Sequence, residues 1–420
     1  MQSTQSLLGS GEETLGPTIP ATPVSPWKSD NLYPEPPPSE EPTWGYTLDK
    51  IPYSCAFEEL RSHIAWDRSK RIKLVWTPHS PRMVPPEEVR ELLPDVRHRD
   101  LLYTKQQLRS FIFVAAIWTV LGGFNATTSG ARTGTPFITY FILPLVLGIL
   151  PAMQFAWTLR RLRTREFTWE DALDAGQHLR YQEWLSRHRA PLTLTFIGAL
   201  LLVGLVQIFT SIQHALERIF VDRSQGTWSA IDAAGLVKSA VWEGEVWRLF
   251  TATVMHGSIW HVVFNFVALY AFGKVVEVLV GRAYLPIIFF LSAFAGSVFS
   301  LLLIPATSIG SSGGIMGIIG FLGVLGYYNR AVLPPGFLKS ILGTVATVAL
   351  FGLVAFVLID NAAHAGGALC GALLGYLLVP HHPTTLPLKP NRLVNVLAVL
   401  CALGILASVL GSIIVMFTWR

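Results

Sequence analysis

The sequence predicts an all-α polytopic membrane protein, and two observations carry this prediction. Hydrophobic residues make up 51% of the 420 residues and charged residues only 14%, which is too apolar for a soluble protein of this length. The apolar residues are also gathered in nearly uncharged segments of about 20 residues, the length a helix needs to cross a bilayer. We place nine such segments, at 108–124, 136–157, 191–213, 251–272, 284–304, 312–329, 338–358, 362–380 and 393–418.

Basic residues predict the orientation of these segments. The net charge is +5, but Lys and Arg are gathered in short connections, as the positive-inside rule produces, so we expect no nucleic-acid partner. Residues 158–190 hold seven arginines, and basic pairs mark every second connection after that: Lys274 and Arg282, Arg330 and Lys339, Lys389 and Arg392. We therefore expect a multi-pass protein with a cytoplasmic N-terminus, in a bacterial inner membrane or a eukaryotic organelle membrane.

The N-terminal part divides into four predicted regions. Residues 1–44 carry nine prolines and many polar residues, a composition that predicts a disordered tail. Residues 45–107 are expected to form a small soluble cytoplasmic domain, with a strand at 71–76 and a helix that begins at Pro85 and Pro86. Residues 108–157 are predicted as a transmembrane hairpin. Residues 158–190 are predicted as a basic cytoplasmic connection.

Several classes of cofactor are not expected. The three cysteines, Cys55, Cys370 and Cys401, are far apart, so neither a disulfide framework nor a zinc site is indicated. No nucleotide-binding glycine motif occurs between a predicted strand and a helix. We therefore expect no metal, no organic cofactor and no nucleotide.

Polar side chains inside apolar segments are functional candidates, because ionisable and amide groups are costly in hydrocarbon. In the 251–272 segment, His261 and Asn265 lie four residues apart and so share one helix face, and His256 lies at its outer end. An interhelical hydrogen bond that fixes packing explains the His261–Asn265 pair about as well as a catalytic role does. For His256 alone, a loop anchor is the simpler interpretation.

Two glycine-rich helices offer a hydroxyl and an imidazole at the same depth. Gly310–Gly317 holds four glycines and two serines, and His364 precedes a glycine ridge at 367, 371 and 375. Such ridges let helices pack backbone to backbone. If the two ridges face each other, Ser312 and His364 come together near the outer end of the membrane.

This pair matches the needs of a serine nucleophile. A hydroxyl attacks efficiently only when a base within hydrogen-bond reach takes its proton, and the tetrahedral intermediate needs donors for its oxyanion. The side chains of Asn265 and His261 and the Ser312 N–H could be those donors. Asp360 is expected at the membrane surface rather than behind His364, so we predict a Ser–His dyad without an acid.

The matching pieces occur in a familiar order: Trp247-Arg248, His256, His261-x-x-x-Asn265, Gly310-x-Ser312-Gly313 and Ala363-His364-x-x-Gly367-x-x-x-Gly371. The chain thereby resembles the rhomboid intramembrane serine proteases. The resemblance implies a six-helix catalytic core at 191–380, followed by a linker and one more transmembrane helix at 381–420; the 108–157 hairpin is outside the shared fold. By resemblance Ser312 is the nucleophile, His364 its general base, and Asn265 and His261 line the oxyanion hole, with supporting roles for His256, Gly310, Gly313, Gly367, Gly371, Trp247 and Arg248.

The resemblance implies an endopeptidase that cuts transmembrane protein substrates within the lipid bilayer, near its extracytoplasmic face. One departure is Met316, where rhomboids often have an aromatic residue that stacks on the catalytic histidine; a thioether orients an imidazole less firmly. Two alternatives stay open. The first is a catalytically inactive relative that binds membrane clients, and the second is a transporter with a proton path through His256, His261 and His364.

Overall fold

The computed structural model describes residues 25–39, 41, 43–128, 144–164, 167–220, 229–354, 356, 359–381 and 386–418. Helices dominate these residues, and four are long and apolar enough to cross a membrane: Pro191–Gln213, Ile259–Val280, Tyr284–Leu303 and Arg392–Thr418. Two shorter helices, Ser312–Tyr328 and Phe337–Leu353, are also apolar. The predicted all-α polytopic class is confirmed.

The N-terminal region contains a small antiparallel sheet. Strands β1 (Trp44–Leu48), β2 (Ile51–Cys55) and β3 (Ile72–Trp76) have the order β2-β1-β3. Helix α1 (Phe57–Trp66) follows β2, and its buried Leu60 and Ile64 join Val75 in a core separate from that of the membrane helices. The strand expected at 71–76 is therefore present. The helix expected at Pro85 is a single turn, Pro86–Glu88, and the long helix begins later.

Part of the segment predicted as disordered is folded. Residues 26–28 and 30–32 form two short helical turns. Trp27 is fully buried, with its ring centroid 5.1 Å from that of Tyr181. The Ser25 hydroxyl donates to the carbonyl of Val332 at 2.7 Å. The prediction weighed only composition, whereas one large aromatic side chain buries enough apolar surface to anchor a short polar segment.

Helix α2 (Leu93–Thr128) runs without a break across the boundary that we predicted at residue 107. It packs against α3 (Leu150–Thr164), which a π-helical turn at Leu145–Ile149 precedes, and the rings of Phe111 and Phe155 stack at 5.5 Å. Residues 129–143 of the predicted hairpin lie outside the described residues. The basic connection contains α4 (Trp169–Arg187), which begins at a capping box formed by Thr168 and Asp171.

The remaining helices hold the candidate site. The loop at residues 229–258, which we call the outer loop after its predicted side of the membrane, contains three short helices: α6 (Ala230–Ala234), α7 (Lys238–Trp242) and α8 (Arg248–Thr251). The longer helices are α5 (Pro191–Phe220), α9 (Ile259–Ala268), α10 (Tyr284–Leu303), α11 (Ser312–Tyr328), α12 (Phe337–Val354), α13 (Asn361–Leu378) and α14 (Arg392–Thr418).

The span expected at 251–272 is shifted along the chain. Residues 252–254 form a separate turn, and α9 begins only at Ile259, where the Ser258 hydroxyl accepts from the N–H of His261 at 3.2 Å. Two π-helical turns, at Leu269–Gly273 and Val276–Val280, extend the apolar helix to residue 280. A serine cap thus sets the start of this span, which hydrophobicity alone placed too early.

Glycines bring α10, α11 and α13 together. A Cβ on Gly367 would overlap the carbonyl oxygen of Gly313, and one on Gly371 would overlap that of Gly317. A Cβ on Gly296 of α10 would lie 2.8 Å from the carbonyl oxygen of Ala363. The three helices therefore pack backbone to backbone.

Candidate active site

Ser312 is the first residue of α11, and its side chain is half-buried. The residue before it, Ser311, is fully buried. Gly310 approaches this turn with φ of 130°, a backbone conformation that glycine adopts readily, and its N–H donates to the carbonyl of Ala252 at 2.9 Å. The glycine turn and its tie to residue 252 fix where the Ser312 hydroxyl lies.

His261 and Ser312 lie on either side of Gly310. A Cβ on Gly310 would be 2.8 Å from both Cε1 and Nε2 of His261 and 3.8 Å from Ser312 Oγ. Any residue other than glycine would push the imidazole away. Two of the predicted site residues, His261 and Ser312, thus lie close to Gly310, and the supporting role of Gly310 stays a prediction.

His256 is buried next to the turn formed by Gly310 and Ser311. Its backbone N–H donates to the Gln207 side chain at 3.0 Å, and the Gln207 amide donates to the His256 carbonyl at 3.0 Å. Its Nε2 lies 3.5 Å from Ser311 Oγ, and its ring centroid lies 5.3 Å from that of His261. His256 therefore links α5 to the serine turn, which agrees with a supporting position.

Asn265 lies one turn beyond His261 on α9, as the spacing predicted. Its amide nitrogen donates to the carbonyl of His261 at 2.8 Å, which engages one of the two N–H groups of this amide within its own helix. Asn265 is buried. The structure places Asn265 one helical turn from His261, with the second amide N–H outside this bond.

His364 lies in the first turn of α13, at the level of Ser312. Gly313, which follows Ser312, contacts α13 on both sides of His364: a Cβ on Gly313 would lie 3.5 Å from the Ala363 carbonyl oxygen, and Gly367 packs against Gly313 one turn later. The described contacts include no hydrogen bond between Ser312 and His364, and His364 Nδ1 is buried without a partner among them. The two helices are apposed as the glycine ridges predicted.

Trp247 and Arg248 support the outer loop rather than the serine itself. Arg248 is 2% exposed, and its Nη1 donates to the carbonyls of Asp232 and Gly235, both at 2.8 Å. Its Nε donates to Glu245 at 2.5 Å, and its guanidinium lies 4.6 Å from the centroid of the Trp247 ring. Arg248 therefore holds the carboxyl end of α6, where carbonyls lack helical partners.

One polar cluster beside the site was not predicted. Lys238 Nζ donates to Ser300 Oγ at 2.6 Å and to Ser308 Oγ at 3.1 Å, and the Ser300 hydroxyl also bonds to Asp360. The other Asp360 oxygen accepts from the N–H of Ala363 at 2.8 Å and caps α13. The cluster joins the outer loop, α10, the turn before Ser312 and the helix of His364. Asp360 is half-buried and connects Ser300 to α13; its expected position at the membrane surface stays a prediction.

Burial lowers the pKa of Lys238. Lys238 is 7% exposed, and loss of hydration lowers its pKa from 10.5 to about 8, while the charge of Asp360 opposes that change. A lone lysine between apolar residues in the outer loop was the only sequence signal of the cluster. An aspartate just before the α13 segment was the signal of the cap.

A small cavity opens next to Ser312. Its volume is about 30 Å³, and hydroxyls and one carboxylate line part of its wall, from Ser297, Ser300, Ser308, Ser312 and Asp360. A cavity of this size and polarity can hold one water molecule. The arrangement therefore joins a helix-terminal serine, a neighbouring imidazole and room for a small polar molecule.

Comparison with known proteins supports the sequence resemblance over most of the core that was expected at 191–380. A family model of the Rhomboid domain matches residues 243–381. These residues include Trp247, Arg248, all three candidate histidines, Asn265 and Ser312. The match ends just after α13.

Curated relatives match over similar lengths. "RHOMBOID-like protein 6, mitochondrial" of Arabidopsis thaliana is 32% identical over 172 residues, which is 40% of this chain and 55% of that protein. "Rhomboid protease GluP" of Bacillus subtilis is 34% identical over 136 residues, 32% of this chain and 26% of that protein. "Rhomboid protein 1, mitochondrial" of Saccharomyces cerevisiae is 31% identical over 135 residues, 29% of this chain and 39% of that protein. The matched region thus spans between about a quarter and just over half of each relative.

Proposed function

The chain is an integral membrane protein of the rhomboid family through residues 243–381, and on that premise we propose that it is an intramembrane serine endopeptidase. Ser312 is the nucleophile and His364 its general base. Its substrates are transmembrane proteins, which it cuts near the extracytoplasmic face. The N-terminus lies in the cytoplasm.

One observation supports this proposal most strongly. Gly313 packs between Ala363 and Gly367, so the residues next to Ser312 contact the residues on both sides of His364. A rotation of either helix would separate the serine from the histidine. Catalytic hydrogen bonds in a protein without substrate are often longer than in the reacting complex, and a short movement of the His364 side chain would complete the pair.

The chemistry follows from this geometry. His364 takes the proton of Ser312 Oγ as the oxygen attacks the scissile carbonyl, and then gives it to the leaving amine. The developing oxyanion is stabilised by N–H donors, for which the Ser312 backbone N–H and the side chains of His261 and Asn265 are the nearest candidates.

The acyl-enzyme then needs water. The polar cavity beside Ser312 has room for one molecule, next to the ester that would form on Oγ. His364 would remove a proton from this water, whose oxygen attacks the ester carbonyl, and return the proton to Ser312.

The decisive experiment compares two neighbouring serines. Purified protein in liposomes is mixed with a single-pass model substrate, and cleavage is followed with Ser312→Ala and Ser311→Ala variants. We expect Ser312→Ala to abolish cleavage and Ser311→Ala to retain measurable turnover. Full cleavage by Ser312→Ala would refute the assignment, and loss only in Ser311→Ala would move it to the other serine.

The alternative of an inactive client-binding relative is favoured by one observation: the described contacts include no hydrogen bond between Ser312 and His364, whose Nδ1 is buried without a partner among them. A fluorophosphonate probe separates the two functions, because it reacts only with an activated serine. Labelling that is lost in both Ser312→Ala and His364→Ala supports the protease. An unlabelled wild-type protein that still retains membrane clients supports the alternative.

A further inference from the structure

A basic groove lies where α2 changes from polar to apolar. Its volume is about 310 Å³, and it is lined by Arg68, Leu102, Lys105, Gln106, Arg109 and Ser110. Five of these residues lie on one face of α2, at the spacing of successive helical turns. Arg68 closes the groove from the turn after α1. The groove lies far in sequence from the residues that match the Rhomboid domain.

The three cations of the groove carry uncompensated charge. Among the described residues, no carboxylate forms an ion pair with Arg68, Lys105 or Arg109, whereas the neighbouring Lys70 lies 2.8 Å from Asp100 and Arg99 lies 2.5 Å from Glu87. The acidic side chains nearby are thus taken by other bases. An anion is therefore the complement that the groove lacks.

The surface above the groove is apolar. From Phe111 to Leu121 helix α2 has no charged residue, and Phe113, one turn beyond Arg109 on the same face, is 66% exposed. Next to Arg68, Trp66 is 59% exposed, and the Arg68 guanidinium lies 5.9 Å from the centroid of the Trp66 ring. Exposed tryptophans favour the membrane–water interface, which places the groove at headgroup level if α2 enters the membrane at Phe111.

We propose that this groove binds the phosphate headgroup of an anionic glycerophospholipid, whose acyl chains lie along the exposed apolar face of α2. The cations hold the phosphate, and the Gln106 amide and the Ser110 hydroxyl are further donors. Continuity with the apolar face distinguishes a lipid from free phosphate, which would gain nothing from Phe113. The lipid would tie the sheet-containing N-terminal region to the bilayer.

The test is native mass spectrometry of the full chain in neutral detergent, titrated with phosphatidylglycerol or phosphatidylcholine. Each basic residue near an anionic lipid surface strengthens binding by about fivefold. We therefore expect the triple variant Arg68→Gln, Lys105→Gln, Arg109→Gln to bind phosphatidylglycerol at least about tenfold more weakly than wild type. Phosphatidylcholine binding stays unchanged.

The matched control removes the same charge from exposed arginines outside the groove: Arg160→Gln, Arg163→Gln, Arg392→Gln. This variant keeps wild-type affinity if the groove is the site. Equal weakening of the two triple variants, or unchanged binding by the groove variant, would overturn the proposal. Displacement of the lipid by excess inorganic phosphate would also overturn it, because the site would then recognise a free anion.

Discussion

Gly367 packs directly on Gly313, with no room for a side chain between them. A Cβ on Gly367 would overlap the Gly313 carbonyl oxygen and lie 3.0 Å from the Gly313 Cα. The contact is backbone against backbone, so no side-chain rotation can relieve an added methyl group. The distance between α11 and α13 is therefore short because Gly313 and Gly367 have no side chain. The distance between His364 and Ser312 depends on the same two glycines.

Gly367→Ala should therefore impair both stability and cleavage. Overpacking of this kind costs about 1–3 kcal/mol, and a displacement of about 1 Å at a catalytic pair can lower the rate about 100-fold. Thermal unfolding and turnover of a model substrate measure the two effects. Gly343→Ala, where nothing lies within 4 Å of the added Cβ, should lower neither. Wild-type turnover by Gly367→Ala would show that the close approach is dispensable.

Arg248→Ala should destabilise the outer loop. The change leaves the Asp232 and Gly235 carbonyls without their buried donor, at a cost of about 2–4 kcal/mol. Arg248→Lys should rescue little, since an ammonium group cannot reproduce the fork of the guanidinium. Arg187→Ala is the control, because this side chain and its ion-pair partner Glu183 are both exposed. Similar thermal-unfolding shifts for Arg248→Ala and Arg187→Ala would contradict the prediction.

Lys238 should make stability rise with pH in the alkaline range. Its pKa is about 8 in the folded protein and 10.5 ordinarily, so between these values the unfolded chain binds the additional proton. The free energy of unfolding therefore increases as pH rises from about 8 to about 10. Thermal unfolding from pH 7 to 10 measures this. Lys238→Met should lack the rise and the exposed Lys389→Met should keep it; parallel curves for wild type and Lys238→Met would refute the cause.

Glu277 should stabilise the start of α5. Its carboxylate accepts from the N–H of Leu192 at 3.1 Å and from both the N–H and the hydroxyl of Thr193 at 2.8 Å. Glu277→Ala leaves two N–H groups unpaired and should cost about 2–3 kcal/mol, whereas Thr193→Val removes one bond and should cost about 1 kcal/mol. Unfolding in mixed micelles of detergent and dodecyl sulfate ranks the two. The reverse order would contradict the capping role.

Local patterns predicted the apolar helices well. The expected spans at 284–304 and 312–329 agree with Tyr284–Leu303 and Ser312–Tyr328, because length and hydrophobicity decide where such helices lie. The apposition of Gly313 and Gly367 was also predictable, since glycines four residues apart form one ridge. These features depend on residues that are near one another in the sequence.

Other features depend on contacts that no local pattern reveals. Lys238 binds Ser300, 62 residues away, and Ser308, 70 residues away. Trp27 is buried against a helix more than 150 residues later, so composition alone made its segment look disordered. The early boundary expected for α9 has a different origin, because apolar residues before Ser258 fold into loop helices rather than into the span.

The hydrogen bond from Ser25 to Val332 restricts how often the chain can cross the bilayer. Two atoms 2.7 Å apart lie on one side of the membrane, so the number of crossings between residues 25 and 332 is even. Glu88 and Arg180 are likewise joined, at 2.5 Å, so α2 and α3 cross twice or not at all. The helices between residues 191 and 328 must then contribute an even number by themselves. A topology in which only one of the two helices α2 and α3 crosses the membrane is therefore excluded, because it would give an odd number of crossings between Glu88 and Arg180.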